Sequence, residues 1–268
     1  MSGRWKRVVM VALASLALSS GANAAGKPSA GASKISSSAQ GDTLVRREGH
    51  PRIFLTWDAP HRMPRAKDAI TVACDDTTAA DTLYLTFDPG EDLGAFMAVD
   101  ATLYFRSAPG DSLGPFWDLS RNGVNPWNLR IEFDEPPAGA VSPWAVAGYG
   151  APRYHLTRDT GRLDLTYYVA ASKAAPVAAG TQYFFARVML RLRKPYLGGC
   201  KQAACVELGH LLLSYSGGSR WITDGDRFVS WNSTDGAACR DARKRTPDQE
   251  PEKFGGRAVP TSPDSTRR

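Results

Sequence analysis

From Thr82 onward the chain repeatedly alternates apolar and polar residues with a period of two. Leu83, Leu85 and Phe87 alternate with Thr82, Tyr84, Thr86 and Asp88; Val99, Ala101, Leu103 and Phe105 alternate with Asp100, Thr102, Tyr104 and Arg106. The same rhythm sets Leu163, Leu165, Tyr167 and Val169 against Arg162, Asp164, Thr166 and Tyr168. It also sets Ala186, Val188, Leu190 and Leu192 against Arg187, Met189, Arg191 and Arg193. Successive side chains of a strand point to opposite faces, so each segment turns one face to a core and one to water. Shorter strands are expected at 52–57, 69–74, 129–133, 153–157, 206–215 and 227–231. Turn formers separate these runs, among them Asp88-Pro-Gly, Arg121-Asn-Gly, Asp159-Thr-Gly, Ser216-Gly-Gly and Thr223-Asp-Gly-Asp. No long helical period follows residue 24, and no repeat of fixed length occurs. Many short strands between turns predict an all-β fold, an antiparallel β-sandwich.

The ends read differently. Arg4, Lys6 and Arg7 precede an apolar run from Val8 to Leu18, and Ala22-Asn23-Ala24 supplies the small-x-small cleavage pattern. The run is shorter than the roughly 20 apolar residues that span a bilayer. Residues 1–24 are therefore expected to be a signal peptide, leaving an exported mature chain with no transmembrane segment. Residues 25–48 are mostly Gly, Ser, Ala and Lys, and 240–268 are charged with Phe254 as their only aromatic. Neither can bury enough surface to offset chain entropy, so both are expected to be disordered. One domain is left at 49–239.

The formal charge of +6 changes little once it is located. The leader carries half of the excess and the C-terminal tail the other half, so the domain is close to neutral. A basic groove for nucleic acid is not expected. Cys74, Cys200, Cys205 and Cys239 are an even set in an exported chain, which points to two disulfides. Three pairings exist. The four-residue loop between Cys200 and Cys205 favours a local bridge, leaving Cys74–Cys239 to tie the first strand region to the last. A zinc site is disfavoured, because no C-x2-C pair and no His at finger spacing occur.

The segment Asp81–Phe105, DTLYLTFDPGEDLGAFMAVDATLYF, resembles the opening of a cohesin domain. GTQYFFARVMLRLR at Gly180–Arg193 resembles that family's penultimate strand, and FVSWNSTDG at Phe228–Gly236 falls where its last strand would lie. The resemblance spans roughly 69–236. It implies a nine-stranded jelly roll shared with carbohydrate-binding modules, and a binding or scaffolding role. The cysteines and the tryptophan-bearing insertions depart from the family pattern, which leaves dockerin as a partner in doubt. Fold and partner are separate inferences.

Candidate chemistry is sparse. Trp117, Trp127 and Trp144 sit in long Gly/Pro loops, where aromatic rings could stack on sugars while Asn122, Asn125 and Asn128 bond hydroxyls. The competing reading is that they pack the ends of the sandwich, and Trp221 and Trp231, near strands, read as structural. Asp88, Glu91, Asp92, Glu132, Asp134 and Glu135 cluster at strand ends. Two facing carboxylates could hydrolyse glycosides, but solvated turn acids explain them more simply. Asp224 and Asp226 read as turn residues rather than calcium ligands. His50, His61, His155 and His210 are scattered, and no hydrolase elbow, P-loop or zincin motif occurs. Asn232-Ser-Thr is a glycan acceptor in a host that glycosylates. No metal, cofactor or catalytic residue is assigned. The expected function is a secreted, non-enzymatic binding or scaffolding module for an extracellular glycan or protein. A secreted polysaccharide hydrolase and a structural surface protein are the rival classes.

Overall fold

In the computed structural model of the chain, residues 49–76, 78, 80–107, 111–119, 129–192, 197–233 and 237–240 are described. The expected leader, the linker and the tail beyond Arg240 lie outside them. The strands in chain order are β1 (Arg52–Trp57), β2 (Ala69–Ile70), β3 (Ala80–Asp88), β4 (Leu93–Ser107), β5 (Leu129–Glu132), β6 (Tyr149–Leu156), β7 (Thr160–Tyr168), β8 (Ala175–Val177), β9 (Tyr183–Arg191), β10 (Ala204–Tyr215), β11 (Gly218–Ile222), β12 (Gly225–Asp226) and β13 (Phe228–Trp231). Every expected strand is present. The strand begun at Ala69 stops at Ile70, because the Val72 amide donates to Asn232 Oδ1 at 2.7 Å instead of to a ladder.

The strands form two sheets. One runs β12-β1-β3-β9-β5; the other runs β2-β13-β10-β4-β7-β6, with β8 added to β4 and β11 to β10. Only the short β12 and β2 pair in parallel, with β1 and β13. The inward sets predicted by alternation fill the space between the sheets: Leu83, Leu85 and Phe87 meet Val99, Leu103, Phe105, Leu163, Leu165, Val188 and Leu190, all fully buried. Apolar burial of this kind stabilises by roughly 25 cal/mol per Å2 removed from water.

One end of the sandwich is plugged by rings. Trp231 stacks on Phe116 at 5.2 Å and meets Trp117 and Trp57 at 5.4 and 5.7 Å. Its Nε1 donates to the Cys200 carbonyl at 2.7 Å, as does Asn232 Nδ2. Asn232 is thus held at both ends of its amide, and the proposed glycan acceptor already serves as a tie between segments.

The disulfides are Cys74–Cys200 and Cys205–Cys239, not Cys200–Cys205 and Cys74–Cys239. Side-chain parity explains the correction. Cys205 lies between inward Ala204 and Val206 on β10, so it points out of the sheet, beside Ser230 on β13. Cys200 and Cys74 instead join the core cluster between the sheets. Closeness in sequence does not bring two thiols together when the sheet separates them.

Candidate interaction face

The outward faces of the two sheets differ. On the β1-β3-β9 sheet, residues that alternation turns away from the core are nevertheless buried: Phe54 is 1%, Thr86 2% and Phe184 0% exposed. The segment after β1 folds back over them, with His61 stacked on Phe54 at 4.2 Å and the Thr56 hydroxyl donating to Ala59 O. The other sheet has no such cover over β4, β7 and β6 among the described residues. Of its outward residues, Tyr149, Tyr168 and Trp221 are 70%, 47% and 43% exposed.

Register gives the layout of this open face. Trp221, Leu212, Asp100, Thr166 and Ala151 form one row across β11-β10-β4-β7-β6. Ser214, Ala98, Tyr168 and Tyr149 form the row on one side, and His210, Thr102, Asp164 and Arg153 the row on the other. Glu207, Tyr104, Arg162 and His155 follow. At about 4.8 Å between strands the Trp221 row spans roughly 20 Å. Both margins are aromatic. Trp221 stands edge-on to His210 at 4.7 Å, and Tyr149 lies against Tyr168 at 5.6 Å.

The groups between the margins are fixed by one another. Thr102 Oγ1 and Arg162 Nε both donate to Asp164 Oδ1, at 2.8 and 2.9 Å, and the Thr166 hydroxyl donates to Asp100. Arg106 Nε donates to Glu207 Oε2 at 3.2 Å and lies over the Tyr104 ring. Burial holds the His210 imidazole below its ordinary pKa, with Arg162 acting the same way and Asp164 and Asp100 opposing. The neutral ring is therefore the resting state of this margin above its ordinary titration range. The edge of β6 carries Pro152, which has no amide hydrogen to donate, so this sheet margin is blunted against strand addition.

The sequence candidates fall elsewhere. Trp117 is fully buried in the ring plug, and Trp144, 8% exposed, stacks on Phe96 at 5.0 Å. Trp127, with Asn122, Asn125 and Asn128, lies outside the described residues. Trp231 packs inside, as read, whereas Trp221 is exposed. The acidic clusters are engaged: Glu132 pairs with Arg130 and Arg187, Glu135 with Arg187, Glu91 with Arg220. Asp88 accepts from the Gly90 and Gly180 amides, and Asp92 from Ala179. Asp226 lies 3.7 Å from Arg52 and 4.0 Å from His61. No group of three His, Cys, Asp or Glu able to hold a metal occurs among the described residues. Tyr149, Tyr168 and His210 were not singled out as a set by the sequence. The available signal was parity: Tyr168 and His210 share a face once their strands pair.

No protein-family model matches the chain, and no curated protein matches it. Among solved structures it is similar to cohesin modules. A type I cohesin from a cohesin–dockerin complex of Clostridium thermocellum is 9% identical, with a TM-score of 0.35 over 68% of this chain and 91% of that one. A type II cohesin domain from the cellulosome of Acetivibrio cellulolyticus is 10% identical, TM-score 0.34, over 68% and 95%. A cohesin module from a Clostridium perfringens family 33 glycoside hydrolase is 7% identical, TM-score 0.31, over 69% and 100%. The two packed sheets themselves make the fold a β-sandwich.

Proposed function

We propose that this protein is an exported, protein-binding module that engages its partner through the open face of the β11-β10-β4-β7-β6 sheet. The observation that carries this reading is the make-up of that face. It presents Tyr104, Tyr149, Tyr168 and Trp221 with Arg106, Arg153 and Arg162, and it carries no lysine. Enrichment in Tyr, Trp and Arg with depletion of Lys is the compositional mark of protein interfaces. Three arginines stand against Asp100, Asp164 and Glu207, so the face is close to electrically balanced, and the hydrogen-bonded ladder between the margins is already ordered. Less side-chain freedom is then lost on association. Export rests on the leader pattern and agrees with two disulfides and no free cysteine among the described residues.

The test is affinity capture from the source organism's exported proteins, run in parallel with a polysaccharide pull-down. The wild-type chain is expected to retain a defined polypeptide. The triple variant Tyr149→Ala/Tyr168→Ala/Trp221→Ala is expected to lose it with an unchanged melting temperature. Retention by the triple variant, or polysaccharide binding that the same substitutions abolish, would overturn the reading in favour of another surface or of a glycan.

A further inference from the structure

The covering layer over the β1-β3-β9 sheet does not close completely. It leaves a half-open recess of about 230 Å3 whose floor is Thr86, Gln182 and Phe184 and whose walls come from Pro60–Met63 on one side and Gly139–Ala140 on the other. We propose that this recess binds a single carboxylate-bearing ring, such as a hexuronate unit of a polysaccharide.

Size comes first. The volume lies below the roughly 300–1,000 Å3 of pockets that enclose drug-sized ligands, and one six-membered ring with its substituents fits it. The polar lining consists of His61, Arg62, Thr86 and Gln182. Arg62 offers a guanidinium, Thr86 a hydroxyl and Gln182 an amide, and no carboxylate lines the recess. Among the described residues no carboxylate pairs with Arg62, so its charge is available to a ligand anion. A guanidinium binds a carboxylate with two parallel hydrogen bonds. The remaining lining is apolar, from Met63, Phe184 and Ala140, and suits the C–H face of a sugar ring.

The donors are also held in place. Gln182 Nε2 donates to Thr86 Oγ1 at 2.7 Å, which leaves the Thr86 hydroxyl hydrogen free to point into the recess. His61 is clamped between the Phe54 ring and Asp226, so the wall that carries Arg62 is anchored. Gly139 keeps the opposite wall low: a Cβ there would already lie 3.4 Å from Met63 Cε, and its φ of +85° suits glycine.

The probes are galacturonate, glucuronate and glucose, titrated into the disulfide-bonded mature chain and followed by chemical-shift perturbation. Saturable uronate binding is expected, at least tenfold tighter than glucose. Arg62→Ala should weaken uronate at least tenfold and leave glucose unchanged, and Gly139→Leu should abolish both by filling the space. Tyr168→Ala on the opposite sheet should change neither, which separates this site from the interaction face. Absence of saturable shifts up to the solubility limit of either uronate would overturn the proposal. So would equal binding of glucose and uronate that Arg62→Ala leaves unaltered.

Discussion

Replacing Trp117 by alanine tests whether the loop tryptophans pack or bind. Trp117 is fully buried between Phe105, Phe116 and Trp231, with ring separations of 5.5, 5.0 and 5.4 Å, and its carbonyl accepts from the Tyr154 hydroxyl at 2.6 Å. Truncation removes the indole and leaves a cavity that β-strands on both sides cannot collapse into. Loss of a buried Trp costs on the order of 3–5 kcal/mol. For a domain of this size each kcal/mol lowers the melting temperature by about 2–4 °C, so the expected drop is roughly 6–20 °C. Trp221→Ala is the matched control. That ring is 43% exposed and touches chiefly His210, so its loss should cost less than about 1 kcal/mol. Thermal and urea unfolding of both variants, with disulfides intact, reads the difference directly. Equal melting shifts for the two would refute the inside–outside assignment of the rings. An unchanged melting temperature for Trp117→Ala with lost glycan binding would restore the loop-tryptophan site.

Non-reducing peptide mapping should recover Cys74 linked to Cys200 and Cys205 linked to Cys239; a Cys200–Cys205 peptide would contradict the face assignment of β10. With separations of 126 and 34 residues, loop-closure entropy makes the first bridge worth about 4.9 kcal/mol and the second about 3.8, so paired Cys→Ala variants should rank in that order. Asp81 is half-buried beside Asp58, and burial followed by that neighbouring charge pushes its pKa up to about 6. The folded state then holds a proton that the unfolded chain has released, so this group's contribution is largest below about pH 4 and is lost as pH rises towards 6. After solvent screening the effect is about 1 kcal/mol, and Asp81→Asn should raise the melting temperature at pH 7 and flatten the pH 4–6 slope. Ala95 adopts φ of +42° at the irregularity where β4 meets β8, and Ala95→Gly should raise stability by about 0.5–1 kcal/mol in chemical denaturation.

The strands were legible because period-two alternation is a direct record of a half-buried sheet. It even carried a signal for the covered sheet. Ile53-Phe54-Leu55 and Tyr183-Phe184-Phe185 are apolar at both parities, as strands buried on both faces must be. Tyr149 was hidden for the opposite reason. Gly148 before it and Gly150 and Pro152 after it read as loop, although β6 starts at Tyr149 and continues through Gly150 and Pro152. Gly150 is required where Phe133 lies under the strand, since a Cβ there would sit 2.4 Å from the ring. The cysteine pairing failed because a short loop reports distance along the chain, whereas the bridge depends on which side of the sheet each sulfur occupies. The site could not be read from residue types alone, since its groups come from five strands and meet only through register.

The two bridges join cysteines in their order of appearance, the first to the second and the third to the fourth. The closed loops, 74–200 and 205–239, therefore do not overlap, and neither bridge encloses the other. Cys205 follows Cys200 by only five residues, so both reach Cys74 at nearly the same time and order of delivery does not choose between them. A crossed Cys74–Cys205 bond is removed by thiol exchange. Either native bridge can then be reduced and closed again while the other stays shut.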